Sequence, residues 1–300
     1  MIKKFLISII TTLSLASAAY AADSQIWGTM IIPNILGYGQ EQSLHLGPWF
    51  TFLQGVYFSK IFLATIIGVP ALFLGHYLIF GPKIFSHAGK KIYIFPAMQR
   101  IVHLLAAVAF IILIPSGLMI VFAKYLGGGP LVAGARHLHG IATLIFLLSL
   151  IPMFLFWVRE MLPTADDIKW VLILGGYLSK EIKEIPAGKF NAGQKMWFWM
   201  ATVGGLIMIG TGAAMYLQDF NYGIASSLGL SQIDLLRISV LVHNGLALLI
   251  TAFFFTHAYM SLFAIKGAIH SIINGYKEHD EVMYLHSSYY KQLKQSGKIE

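Results

Sequence analysis

The chain has 300 residues, 57% of them apolar and only 11% charged, with no cysteine and a formal net charge of +8. A soluble domain carries about a quarter charged residues, so this composition requires an integral membrane protein, and the positive balance reads as a topology signal rather than a nucleic-acid footprint. The absence of cysteine excludes disulfides, cysteine-ligated iron–sulfur clusters, covalently attached c-type haem and thiolate metal sites in this chain.

Met1 to Ala21 reads as a cleaved secretory signal peptide. Lys3 and Lys4 precede an apolar core from Phe5 to Ala16, and Ala19-Tyr20-Ala21 offers a small-x-small cleavage site. The competing reading is an uncleaved first membrane helix, but the core falls short of the roughly 20 residues that a span needs. Residues 22–55 are mixed and punctuated by Gly and Pro, and are expected as a periplasmic surface segment. Five apolar runs of near-spanning length follow, at 56–81, 98–123, 138–157, 196–217 and 237–264. The predicted fold is therefore all-α, a five-helix membrane bundle. In it, 56–81 is the first helix, 98–278 the region holding the other four and 279–300 a cytoplasmic tail. Between the third and fourth runs, IKWVLILGGYL is too short to span and is expected as an interfacial amphipathic segment. Pro115-Ser116-Gly117 falls inside the second run, where neighbouring helices would have to satisfy freed backbone groups.

Fifteen Lys and Arg lie in the connections 82–100, 158–195 and 265–300, from Lys83 to Lys298. The opposite side, signal excluded, holds only Lys60, Lys124, Arg136 and Arg237. The positive-inside rule places the first set in the cytoplasm and the processed N-terminus outside, in the inner membrane of a bacterium. Signal peptide and charge bias agree without sharing an argument.

Eleven histidines are present. His45, His87, His270, His279 and His286 fall in loops or the tail and are expected to be solvated. His76 lies within the first run, where a lone histidine is more often hydrogen-bonded in the bundle than bound to metal. Four others form a set by depth. His103 opens the second run near the cytoplasm and His139 opens the third on the outside. His243 and His257 lie near the outer and inner ends of the fifth. Fourteen residues place the last two about 21 Å apart along one helix, within about 40° of the same face. Ionisable rings at membrane depth read by default as functional. Depth pairs His103 with His257 and His139 with His243, and each pair of neutral imidazoles from two helices suits bis-His ligation of a b-type haem iron. Such an iron has no open position and transfers electrons without binding substrate. His137 competes with His139, but the two lie about 200° apart on a helix, and His139 is deeper and followed by Gly140.

The segment KFNAGQKMWFW (Lys189 to Trp199), together with RHLHG, LVHNGLALL and THAYMSLFAIKG, resembles the cytochrome b (gamma) subunit of membrane-bound respiratory formate dehydrogenase, over about Gln99 to Glu278. The resemblance implies two b haems on His103, His139, His243 and His257 in the pairing derived from depth. It also implies a quinone, menaquinone or ubiquinone, bound beside His257 near Asn191, Gly193 and Gln194. By residue chemistry alone that block is a polar helix entry, with Asn191 as N-cap and Lys195 as a snorkelling anchor. The implied partners are a periplasmic iron–sulfur (beta) subunit and a molybdenum or tungsten catalytic (alpha) subunit. Formate would be oxidised there, and this chain would carry electrons only. Partners otherwise are membrane lipid, with no nucleic acid. The added first span and signal peptide depart from the family's four-helix pattern. A cytochrome b subunit of a nickel–iron hydrogenase would share histidines and topology, and only the Asn-Ala-Gly-Gln-Lys block argues against it. A proton-coupled transporter would need paired interrupted helices or an inverted repeat, and neither is visible. A passive anchor without haem leaves His257 unexplained.

Overall fold

The computed structural model describes residues 44, 46–86, 89–217 and 221–299. The predicted signal peptide, most of the segment 22–55, His45 and His87 lie outside these. The described chain is mostly helical, and five helices are long and apolar enough to cross a membrane: Gly47–Phe80, Ala97–Val121, Gly129–Trp157, Ala192–Tyr216 and Gln232–Ala264. Long side chains of Leu, Ile and Phe on their outer faces stay exposed, as lipid-facing residues must. The chain is an all-α, multi-pass membrane bundle.

The helices differ from expectation at their starts. The first begins at Gly47, so 47–55 is helical rather than part of a surface segment, passing through one π-turn at Leu53–Tyr57. The third begins nine residues early, at Gly129. Gly127, Gly128 and Gly129 all take positive φ, a run that side-chain-bearing residues would strain to adopt. Pro130 then opens the new helix, where its missing N–H costs nothing. His139 consequently lies well inside its helix. The polar Arg136 and His137 had disguised this first stretch as a loop. Single π-turns also interrupt the fourth span at Met200–Gly204 and end the fifth at Met260–Ala264.

The chain divides into two compact units. The first contains residues up to Leu63, 107–147 and 207–247. Its interior includes Phe58, Phe62, Ala135, Ala142 and the edge-to-face pair Phe110–Phe146. Asn244 Nδ2 donates to Gln54 Oε1 at 2.7 Å, tying the fifth spanning helix to the first.

The second unit contains residues 64–106, 148–206 and 248–300. The connection after the third span forms the short helix Ala165–Leu172, started by a reciprocal cap between Thr164 and Asp167. Its apolar Ile168 and Leu172 are exposed, consistent with the expected amphipathic segment. Two short strands, Lys91–Tyr93 and Tyr276–Glu278, pair antiparallel. Lys83 Nζ donates to the carbonyls of Ser179 and Glu181 at 2.5 and 2.6 Å.

The C-terminal segment is not a loose tail. Its helices His279–Leu285 and Ser287–Gln295 bury Val282, Leu285 and Leu293, and Leu285 joins Phe85, Ile185 and Ile265 in a small core. Backbone bonds tie it to the connection before the fourth span: Ile185 N–H to the Tyr284 carbonyl, Ser287 N–H to Ile185 and Tyr289 N–H to Ala187. His286, expected to be solvated, is only 2% exposed. Its Nδ1–H donates to the Gly188 carbonyl at 2.8 Å, and its Nε2 faces Lys277 Nζ at 3.3 Å. The expectation failed because polar residues here satisfy one another: Lys277 and Glu281 pair at 2.5 Å behind the ring. His270 is exposed and His279 half-buried.

Candidate functional site

In the first unit, His139 on the third spanning helix and His243 on the fifth face one another, ring centroids 6.4 Å apart and planes at 56°. Two hydroxyls address these rings from the other helices. Ser116 Oγ lies 3.0 Å from His139 Nδ1, and Thr211 Oγ1 lies 3.0 Å from His243 Nδ1. Each hydroxyl spends its single proton on a carbonyl four residues back, Ile112 at 2.6 Å and Ile207 at 2.8 Å. Toward the ring it can therefore only accept. Both rings thus carry their proton on Nδ1, which leaves the Nε2 lone pairs for a metal. The residue after each hydroxyl is glycine. A Cβ at Gly117 would stand 3.3 Å from His139 Cε1, and one at Gly212 would stand 3.4 Å from His243 Cε1, so these two positions let the rings approach their acceptors. A Cβ at Gly140 would meet nothing within 4 Å.

In the second unit, His103 on the second helix and His257 on the fifth stand 6.0 Å apart at 50°. Trp197, from the fourth helix, stacks on His257 at 5.5 Å and 20°. Among the described residues, no hydrogen-bonding partner addresses the nitrogens of either ring.

A metal–histidine nitrogen bond is about 2 Å long, so two imidazoles on opposite faces of one iron stand roughly 6 Å apart between centroids. Both pairs have this spacing. Ordinary ring contacts cover the same range. What distinguishes the pairs is that the two rings of each come from different spanning helices, and that in the first unit the tautomer is fixed with Nε2 available. These donors fit an iron held by two neutral imidazoles.

His76, a further membrane histidine considered for ligation, is engaged elsewhere. Its Nε2–H donates to the Tyr177 carbonyl at 3.0 Å, so its Nδ1 accepts from the Tyr259 hydroxyl at 2.6 Å.

The Asn191 block starts the fourth spanning helix. Asn191 Oδ1 accepts from Gln194 N–H and Gln194 Oε1 accepts from Asn191 N–H, both at 3.0 Å, a closed capping box. With both oxygens so used, the side-chain NH2 groups are what each residue retains for a ligand. A Cβ at Gly193 would stand 3.0 Å from Trp170 Cη2. Lys195 is not a snorkelling anchor. It is 5% exposed and pairs with Asp167 at 2.8 Å, with Thr164 Oγ1 at 3.3 Å. Burial pushes the Asp167 carboxyl up, but hydrogen bonds from Lys195 and from the Thr164 amide outweigh it and hold the carboxyl below its ordinary value. One helical turn past Gln194 comes Trp197, so the block and the ring stacked on His257 share one short rigid helix.

Sequence reasoning did not anticipate Ser116, Thr211 or Trp197. The signal for the first two was a hydroxyl followed by glycine, Ser116-Gly117 and Thr211-Gly212, in the two spans lacking a histidine at that depth.

The family model for prokaryotic cytochrome b561 matches residues 94–275. The chain belongs to the prokaryotic cytochrome b561 family. It is a membrane cytochrome b, a family that binds haem b. The match begins beyond the first spanning helix, Gly47–Phe80. The cytochrome b556 subunit of formate dehydrogenase from Haemophilus influenzae is 26% identical over 183 residues, 59% of this chain and 73% of that protein. The cytochrome b556(Fdn) subunit of the nitrate-inducible formate dehydrogenase of Escherichia coli is 26% identical over 162 residues, covering 54% and 71%. The cytochrome b556(fdo) subunit of formate dehydrogenase from the same species is 24% identical over 208 residues, covering 67% and 93%.

Proposed function

We propose that the chain is the cytochrome b subunit of a quinone-reducing formate dehydrogenase, holding one b haem between His139 and His243 and a second between His103 and His257. The observation that carries this reading is the pair of facing imidazoles in each unit, 6.4 and 6.0 Å apart. Haem bound there supplies one-electron transfer. Each pair of histidines would hold one haem through its iron, and with both imidazoles bound that iron would offer no place to a substrate. The relatives' membership of formate dehydrogenases supports an iron–sulfur subunit as electron donor, and a molybdenum or tungsten subunit as the place where formate is oxidised.

The charge bias of the connections supports an inner-membrane orientation with the mature N-terminus and the His139–His243 pair on the periplasmic side, and the C-terminus in the cytoplasm. Electrons then enter at His139–His243 and leave from His103–His257. Quinone, menaquinone or ubiquinone, binds beside His257. The NH2 groups of Asn191 and Gln194 donate to its carbonyl oxygen, and Gly193 lets the Trp170 ring pack against this turn. Protons come from the cytoplasm, so each electron crosses the membrane inward at about 2.3 kcal/mol per 100 mV, drawn from the low potential of formate.

Difference spectra of anaerobic membranes containing the complex test the assignment. A b-type α-band that develops with formate, and is halved in His243→Ala and in His257→Ala, is the expected result. Reduction by hydrogen and not by formate would transfer the chain to a hydrogenase. Retention of both haems in His243→Ala would refute the ligand assignment.

A further inference from the structure

The two histidine pairs are built alike in spacing but not in surroundings. At His139 and His243 each Nδ1–H is met by a hydroxyl oxygen, Ser116 from the second spanning helix and Thr211 from the fourth, both at 3.0 Å. Each hydroxyl is locked in its accepting role because its proton goes to the carbonyl one turn back. Each also has a second, longer carbonyl within reach, Leu113 and Met208 at 3.2 Å, so two backbone acceptors compete for its one proton. The glycine after each hydroxyl keeps its flank of the ring open: a Cβ would stand 3.3 Å from His139 at Gly117 and touch His243 at 3.4 Å at Gly212. At His103 and His257 the described residues supply no such acceptor; Trp197 lies flat on His257 instead.

An acceptor on the remote nitrogen of a ligating imidazole makes the ring more basic and fixes its orientation. A more basic ligand favours the ferric over the ferrous state, because the oxidised iron carries the greater charge. We propose that Ser116 and Thr211 are positioning residues which fix the tautomer of His139 and His243 and hold the haem at that pair at a lower potential than the haem at His103–His257. The proposal rests on reading both pairs as haem ligands. It adds direction to that reading: two hydroxyls at one pair, and none at the other, make transfer from His139–His243 to His103–His257 the downhill course. Serine and threonine serve equally because only the oxygen is used, and both tolerate the helix interior since each satisfies its own proton on the preceding turn.

Potentiometric titration of the two b haems in the intact complex tests this, with the haem at His139–His243 identified as the one lost in His243→Ala. Thr211→Val keeps the shape and removes the oxygen. It is expected to shift the ferric–ferrous equilibrium of that haem about threefold to tenfold toward the reduced form. At 59 mV per tenfold for one electron, the tenfold end is a midpoint rise of about 59 mV. Thr211→Ser should leave the midpoint where it was, and Ser116→Ala should move the same haem in the same direction. Thr202→Val removes a hydroxyl back-bonded to the Phe198 carbonyl at 2.7 Å, with no histidine ring on it, and should move neither midpoint. The inference is overturned if Thr211→Val leaves both midpoints in place, if it shifts the other haem, or if the His139–His243 haem has the higher potential in the unsubstituted complex. Should Thr211→Val fail to retain haem, Ser116→Ala decides by the same criteria. Two b haems that both survive His243→Ala would instead sink the ligand assignment beneath the proposal.

Discussion

Acidification below about pH 6.5 should loosen the C-terminal segment of the second unit, and His286 is the reason. The ring is 2% exposed. Its Nδ1–H donates to the Gly188 carbonyl, and its Nε2 has only the Lys277 ammonium before it, at 3.3 Å, with Glu281 on the far side of that lysine. Burial first, and the Lys277 charge second, push the imidazole down to about 3, against the small opposing effect of the Gly188 hydrogen bond. The folded-state value thus lies below the unfolded value of about 6.5. The unfolded segment binds the extra proton in the window between them, so stability is complete above about pH 6.5 and is lost as pH falls toward 3. The slope is about 1.4 kcal/mol per pH unit, which makes opening of the segment roughly tenfold easier at pH 5.5 and about a hundredfold easier at pH 4.5. Hydrogen–deuterium exchange in detergent, corrected for the intrinsic pH dependence, reads this at the peptides containing Ile185, Ser287 and Tyr289, whose amides bridge the segment to residues 184–189. His286→Gln can keep the bond to Gly188 without titrating, and should abolish the slope. Protection that is flat from pH 7.5 to 5, or an identical slope in His286→Gln, would refute the reasoning.

Asp167→Asn would leave the Lys195 ammonium buried opposite a neutral amide, and should destabilise the protein by about 2–3 kcal/mol, somewhat below a fully buried pair because Asp167 is partly solvated; intrinsic-fluorescence melting of the detergent-solubilised complex measures it. Gly212→Val, whose methyls reach beyond a Cβ already 3.4 Å from the His243 ring, should abolish haem retention at His139–His243 alone, with pyridine haemochrome falling from two haems per chain toward one; unchanged content would remove the role given to that glycine. His76→Phe should keep both b haems but leave the Tyr259 hydroxyl without its 2.6 Å partner, at a cost of about 1–3 kcal/mol in the same melting assay; loss of a haem would show that His76 is a ligand after all.

How far the sequence carries depends on what each residue answers to. His103, His139, His243 and His257 are legible because depth in a membrane is a one-dimensional quantity, and hydropathy with charge bias supplies it directly. The pairs found at 6.0 and 6.4 Å are the ones depth selects. Ser116 and Thr211 are illegible by the same means, since a hydroxyl in a spanning helix satisfies itself on the preceding turn and so carries no obligation to face anything. The start of the third helix was missed because Arg136 and His137 look like a loop, whereas Gly127-Gly128-Gly129-Pro130 marks the turn by backbone preference alone. Lys195 and His286 mislead for a common reason. Composition assigns charged and titratable side chains to water, and only a partner distant in sequence, Asp167 in one case and the Gly188 carbonyl in the other, makes burial affordable.

The strand pair Lys91–Tyr93 with Tyr276–Glu278 has a consequence for how the molecule is made. The first strand follows the first spanning helix and leaves the ribosome early, but its partner emerges only after every spanning helix has been synthesised. Contacts so remote in sequence close late. Until they do, the connection carrying Lys83 to Phe95 waits with an unpaired strand edge on the side where the cytochrome b helix containing His103 begins. A stop codon or a degradation signal placed just before Tyr276 would therefore yield chains that insert all five helices and still lack the closing stitch. The quality of this protein is thus decided by its last few dozen residues, and an affinity tag belongs beyond them rather than in their place.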